Sequence, residues 1–167
     1  MVFSTAGPDC FSLEETMNSI APFRTIDLSV IGLANLTNLL LALMFLLRGR
    51  GRVKTGNAFG WIAVLLGVPL LAALGMNAWA GRPWWTTILP GLLVLYNLAE
   101  FVLDFLLHFD FRHSRWLGPY LGLYYLALMG MIGYSFAVWK PCGFITLFTY
   151  FINLAATAYS FQRIGHG

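Results

Sequence analysis

Apolar residues fill the chain in long blocks separated by short polar stretches. Five blocks, roughly 28–47, 58–79, 86–108, 117–139 and 143–161, are long enough to cross a bilayer, since a span needs about 20 mostly apolar residues at 1.5 Å of rise each. They are too long for barrel strands and lack strict alternation, which sets a β-barrel aside. The stretches between them, "RGRGRVKTGN", "AGRPWW", "FDFRHSR" and "KPC", are short. Short connections make neighbouring helices antiparallel. The pattern therefore predicts an all-α, polytopic integral membrane protein: an up-down bundle of five transmembrane helices.

Ahead of the first block, "SLEE" has the form of a capping box, with Ser12 as N-cap and Glu15 at N3. It predicts a short amphipathic helix that ends near Pro22 and lies on the outer face. Residues 1–26 then form an extracytoplasmic arm and 27–167 the five-helix domain. Asp9, Glu14 and Glu15 stand where a signal peptide would carry its basic leader, so the first block is expected to remain as a span.

Composition strengthens this picture. Of 167 residues 59% are hydrophobic and only 10% charged, against about a quarter charged in soluble domains. The net charge of +3 is too small and too scattered for a nucleic-acid footprint and reads better as an orientation signal. Arg48, Arg50, Arg52, Lys54, Arg112, Arg115 and Arg163 fall on one side of the predicted bundle, against Arg24, Arg82 and Lys140 on the other. The excess side is cytoplasmic by the positive-inside rule, which predicts a cell-membrane protein with its N-terminus outside and its C-terminus in the cytoplasm. Trp84, Trp85, Trp116 and Trp139 fall at block ends, as interfacial aromatic belts do. Arg48, Arg50, Arg52 and Lys54 are expected to meet anionic lipid headgroups, at about 1 kcal/mol per basic residue.

Candidate chemistry sits in the third block, in "YNLAEFVLDFLLH". At 100° per residue, Asn97, Glu100, Asp104 and His108 project within an arc of roughly 80°. A lone carboxylate at mid-membrane costs about 2.5–3.5 kcal/mol, so the stripe has to face protein or water. Asn35 and Asn38 on the first block and Asn153 on the fifth are the expected supporting partners, with Thr37 and Thr157 beside them. Polar side chains between membrane helices also serve as plain packing contacts. Two carboxylates and a histidine along one face favour a functional stripe over that alternative.

Geometry narrows what the stripe can do. Glu100 and His108 lie two turns apart, about 12 Å, too far to share one ion, and no second intramembrane histidine is available for zinc, iron or haem. No metal and no cofactor is expected. No Ser/His or Cys/His pair suggests a nucleophile. Carboxylates and histidine at successive turns are the components of proton relays, so proton- or cation-linked transport or permeation is the leading expectation. Two alternatives stand beside it: a non-catalytic subunit or ligand-binding protein of a larger membrane complex, and a lipid-active membrane enzyme with Asp104 and His108 as acid–base groups. The stripe has no outer half within its own span, so a continuous path would need residues from other helices or a homo-oligomer.

Three further features leave alternatives open. Cys10 and Cys142 fall on the same predicted outer face, where a disulfide would persist; two unrelated cysteines fit as well. "GPYLG", Gly118 to Gly122, has the small-residue spacing of close helix packing, within the bundle or across a dimer. Tyr120, Tyr124 and Tyr134 share the fourth block and suit either packing or a pocket lining.

Overall fold

The computed structural model describes the backbone of residues 11–107 and 117–164, with side chains from residue 24 onward except at 104, 105, 117 and 164. Among the described residues the chain is all-helical. Its helices are α1 (Phe11–Gly49), α2 (Val53–Leu65), α3 (Gly67–Trp79), α4 (Trp85–Glu100), α5 (Leu117–Val138) and α6 (Lys140–Ile164), and α4 continues into a π-helical segment, Phe101–Leu106. Five stretches are long and apolar enough to cross a membrane: Arg24–Gly49, Val53–Trp79, Trp85–Leu103, Gly118–Val138 and Lys140–Arg163.

Two of the expected elements differ in detail. The helix expected to stop near Pro22 does not stop there; α1 runs unbroken for 39 residues, about 58 Å at 1.5 Å per residue. A proline inside a helix removes one hydrogen bond, and α1 continues past it. The second span is instead broken, at Leu66, between α2 and α3. Pro69 accounts for the break: it has no N–H to offer the carbonyl of Leu65, four residues earlier.

The helices form a ring. α1 packs on α2, α3 on α4, α4 on α5, α5 on α6, and α6 closes onto α1. α1 and α6 run in the same direction, because Asn35 meets Thr146 and Thr149 while Gly49, further along α1, lies against Tyr159, further along α6. Burial is inverted relative to a soluble protein. Leu65, Val68, Leu71, Phe148 and Phe161 are exposed, whereas Asn38, Asn77, Thr86, Glu100, Thr146 and Asn153 are buried.

The α1–α2 connection shows how local sequence sets this packing. Arg48, in the last turn of α1, is buried and donates to Asn57 Oδ1 through Nε at 3.2 Å and Nη2 at 2.9 Å. Gly56 lets α2 come close, since a Cβ there would lie 3.2 Å from the Met44 carbonyl. Arg50, Arg52 and Lys54 are exposed. Gly118 and Gly122 do not mediate packing within the bundle: a Cβ at either would meet nothing within 4 Å. Tyr124, Ala127 and Leu128 occupy the inward face of α5, which turns both glycines outward. Gly130 makes the close approach instead, against Leu89 and Leu92 of α4.

Candidate functional site

Buried polar side chains line the inside of the ring from the α3–α4 turn to the end of α4. At the turn, Gly81 adopts φ +63°, a left-handed conformation open to glycine, and the chain doubles back so that Arg82 lies over the bundle. Arg82 grips Asp27 of α1 with a two-pronged fork, Nη1 to Oδ1 at 2.6 Å and Nη2 to Oδ2 at 2.9 Å. Tyr134 of α5 donates to Asp27 Oδ1 at 2.6 Å. Arg82 Nη1 also donates to Asn77 Oδ1 at 2.9 Å. The Asn77 amide nitrogen in turn donates to the Thr86 carbonyl at 3.0 Å. Thr86 stands four residues before Pro90, so its carbonyl has no helical N–H to accept from; Asn77 fills that role. The Asp27 hydrogen bond and charge raise the pKa of Arg82 above its ordinary value, outweighing the opposite effect of partial burial.

A second group follows along the α1–α6 seam. Thr146 lies 2.9 Å from Ser135, the residue after Tyr134, with its hydroxyl as donor. Asn35 donates to Thr146 Oγ1 at 3.2 Å and to the Ile31 carbonyl at 2.9 Å. Thr149 donates to Asn35 Oδ1 at 2.6 Å, and Asn38 donates to Thr149 Oγ1 at 3.4 Å. Thr146, Thr149, Asn153 and Ser160 recur at helical spacing and share the buried face of α6.

The third group surrounds Glu100. This residue ends α4 and is 4% exposed. Tyr120 donates to its Oε2, and the Tyr96 and Tyr120 hydroxyls are 3.2 Å apart. The Tyr96 and Tyr124 rings pack at 5.2 Å between centroids, and Asn153 donates to the Tyr124 hydroxyl at 2.9 Å. The π-helical segment begins directly after Glu100, and its wider turn is marked by the Leu107 N–H reaching the Val102 carbonyl at 2.9 Å. Such turns are rare and recur at functional sites.

No known protein family, curated protein or solved structure matches this chain. The functional reading therefore rests on the geometry of these groups.

Of the expected stripe, Asn97 and Glu100 are buried on α4. The Asp104 backbone lies in the π-helical segment, so the 3.6-residue period used to align it with Glu100 ends at Glu100. The Asp104 side chain and all of His108 lie outside the described residues. Asn153 joins the Glu100 group through Tyr124, whereas Asn35 and Asn38 belong to the α1–α6 seam. Thr37 bonds its own helix, at the Leu33 carbonyl. Cys142 is buried near the start of α6; Cys10, and with it a Cys10–Cys142 bridge, lies outside the described residues. Among the described residues no three His, Cys, Asp or Glu side chains gather as metal ligands would.

Sequence reasoning passed over Asp27, which sits one residue outside the first apolar block, and used Arg82 only for orientation. It also left the tyrosines unassigned. A signal existed for α6, whose threonines and Asn153 repeat every three to four residues. None existed for the Arg82–Asp27 pair, 55 positions apart.

Four buried polar atoms have no hydrogen-bond partner among the described residues: Asn38 Oδ1, Asn97 Nδ2, Asn153 Oδ1 and Ser160 Oγ. Chemically, hydroxyls can accept a proton on one side and release another, and a carboxylate can hold one. Neutral amides orient such groups without relaying.

Proposed function

We propose that the chain is a multi-pass cell-membrane protein, N-terminus outside, that moves protons or small cations along its interior with Glu100 as the group that takes up and releases the charge. One observation carries this reading: Glu100 is buried and bonded by Tyr120, and a series of polar side chains on α1, α5 and α6 leads on from that group toward Asp27. These helices supply the half-path that the third span lacks. In this reading Asp104 and His108 continue the route on the cytoplasmic side. The exposed Arg50, Arg52 and Lys54 meet anionic headgroups there, while Arg48 serves Asn57 instead.

The test is flux in liposomes carrying a pH dye. Glu100→Gln keeps the hydrogen bonding but not the charge, and should cut flux by about a hundredfold or more, the lower end of what a positioned proton-transfer group contributes, with unchanged melting. Undiminished flux in a folded Glu100→Gln protein would refute the reading. A larger complex is the second reading, favoured by the Val53–Trp79 stretch, whose apolar part is mostly left uncovered by the rest of the chain. It predicts a stable partner co-purified from membranes, and no flux by the isolated chain.

A further inference from the structure

One gap between the polar groups described above, between the α1–α6 seam and Asn153, has a specific chemistry. On one side stands Asn38 of α1, 2% exposed, which donates through Nδ2 to Thr149 and leaves Oδ1 without a partner. On the other stands Asn153 of α6, fully buried, which donates through Nδ2 to Tyr124 and likewise leaves Oδ1 without a partner. Both residues are near the middle of their spans, Arg24–Gly49 and Lys140–Arg163.

Their placement follows from the seam. Asn38 is bonded to Thr149, and Asn153 is one helical turn beyond Thr149 on the same buried face, about 6 Å along the axis. The α1 residue one turn beyond Asn38 is Ala42, buried and small, so no large side chain from that position fills the space between the amides. A water molecule that donates to both oxygens holds them about 4.4 Å apart, because its two O–H bonds open at about 105° and each O–H···O bond is about 2.75 Å long, a separation that two amide side chains leaning toward each other from neighbouring turns can reach.

The occupant's class follows from the amides. The Asn38 orientation is set by Thr149, whose hydroxyl proton goes to Asn35 Oδ1 at 2.6 Å. Asn153 turned over would accept from Tyr124 and leave its nitrogen unpaired instead. A water molecule, donor and acceptor at once, satisfies either arrangement, whereas a metal cation would serve only oxygens and find too few of them. We propose that one water molecule binds between Asn38 and Asn153 and joins the Asn35–Thr149 seam to the Asn153–Tyr124 pair that packs against the Glu100 group. This deepens the transport reading, and it rests on that reading only for its consequence, not for the site itself.

A double-mutant cycle tests the site without reference to transport. The variants are Asn38→Leu, Asn153→Leu and the pair, each melted as purified protein. Each substitution also removes a bond of its own, Asn38 to Thr149 or Asn153 to Tyr124, and those losses add; with a shared water the bridge is lost only once, so the double variant should lose less stability than the sum of the two single losses. Strictly additive losses would overturn the site. Should a leucine variant not fold, Asn38→Ala and Asn153→Ala replace it in the same cycle, read the same way. A bound-water O–H band in infrared difference spectra, shifted by H₂¹⁸O in wild type and absent from the single variants, is expected; its absence from wild type would also overturn the proposal. In liposomes the single variants should lose proton flux to the same extent as Glu100→Gln. Flux retained alongside a confirmed water would sink the path while leaving the site intact.

Discussion

Replacing Arg82 by leucine strips the buried Asp27 carboxylate of its guanidinium partner. Asp27 and Arg82 side chains are 9% and 14% exposed, with two charge-assisted bonds between them. Breaking one half of a buried pair costs about 3–5 kcal/mol, because the surviving charge is left uncompensated. Tyr134 continues to donate to Asp27, which places the expectation at the lower end, about 3 kcal/mol. For a chain of this length each kcal/mol moves the melting temperature by about 2–4 °C, so R82L should melt about 6–12 °C below wild type. Asp27→Leu combined with Arg82→Leu should recover part of that loss, since an apolar pair leaves no stranded charge. The assay is thermal unfolding in one detergent or bicelle at fixed lipid content. The sign with pH follows from the raised pKa of Arg82. A group held charged in the fold contributes fully below its unfolded value and loses that contribution only as pH rises through the folded one. The wild type–R82L gap should therefore not shrink from this cause between about pH 7 and pH 10. An R82L protein melting within about 2 °C of wild type would show that the pair behaves as a solvated surface bridge, and the account of this end of the bundle would fail.

Further outcomes follow from individual contacts. Asn77→Leu leaves the Thr86 carbonyl without a donor, a loss of about 1–3 kcal/mol; in a Pro90→Ala background residue 90 regains an N–H for that carbonyl, so the same substitution should cost about 1 kcal/mol less, and equal costs in both backgrounds would contradict the assigned role of Asn77. Gly143→Ala places a Cβ 2.3 Å from the Phe136 ring and should destabilise by about 1–3 kcal/mol. Gly122→Ala meets open space and should melt no lower than wild type; equal losses at the two glycines would mean that the α5 face is assigned wrongly.

How much was legible in the chain differs from element to element. The five helices long and apolar enough to cross a membrane were, because a run of about 20 mostly apolar residues is the length a spanning helix needs. Glu100 was legible too, as a carboxylate inside such a run. The partners of Glu100 were not. Tyr120 and Tyr124 looked like ordinary packing residues, and only the rotation of α5, which turns Gly118 and Gly122 outward, brings the Tyr120 hydroxyl to the carboxyl and Tyr124 into the core. Asn35 and Asn38 were expected beside Glu100; the parallel approach of α1 to α6 gives them to Thr146 and Thr149 instead.

Composition and periodicity by themselves determined that this chain forms long apolar helices with polar residues hidden on their inner faces. Each span's character depends on a contiguous run of residues, which is local information. Tertiary structure alone decided which hidden groups meet. Asp27 and Arg82 are separated by 55 positions, and their meeting depends on a glycine-permitted turn at Gly81 and on the order of helices around the ring. Hydrogen bonds act over about 3 Å, so an ordered series of polar contacts exists only once the helices have taken fixed rotations and registers, and no single span carries that information.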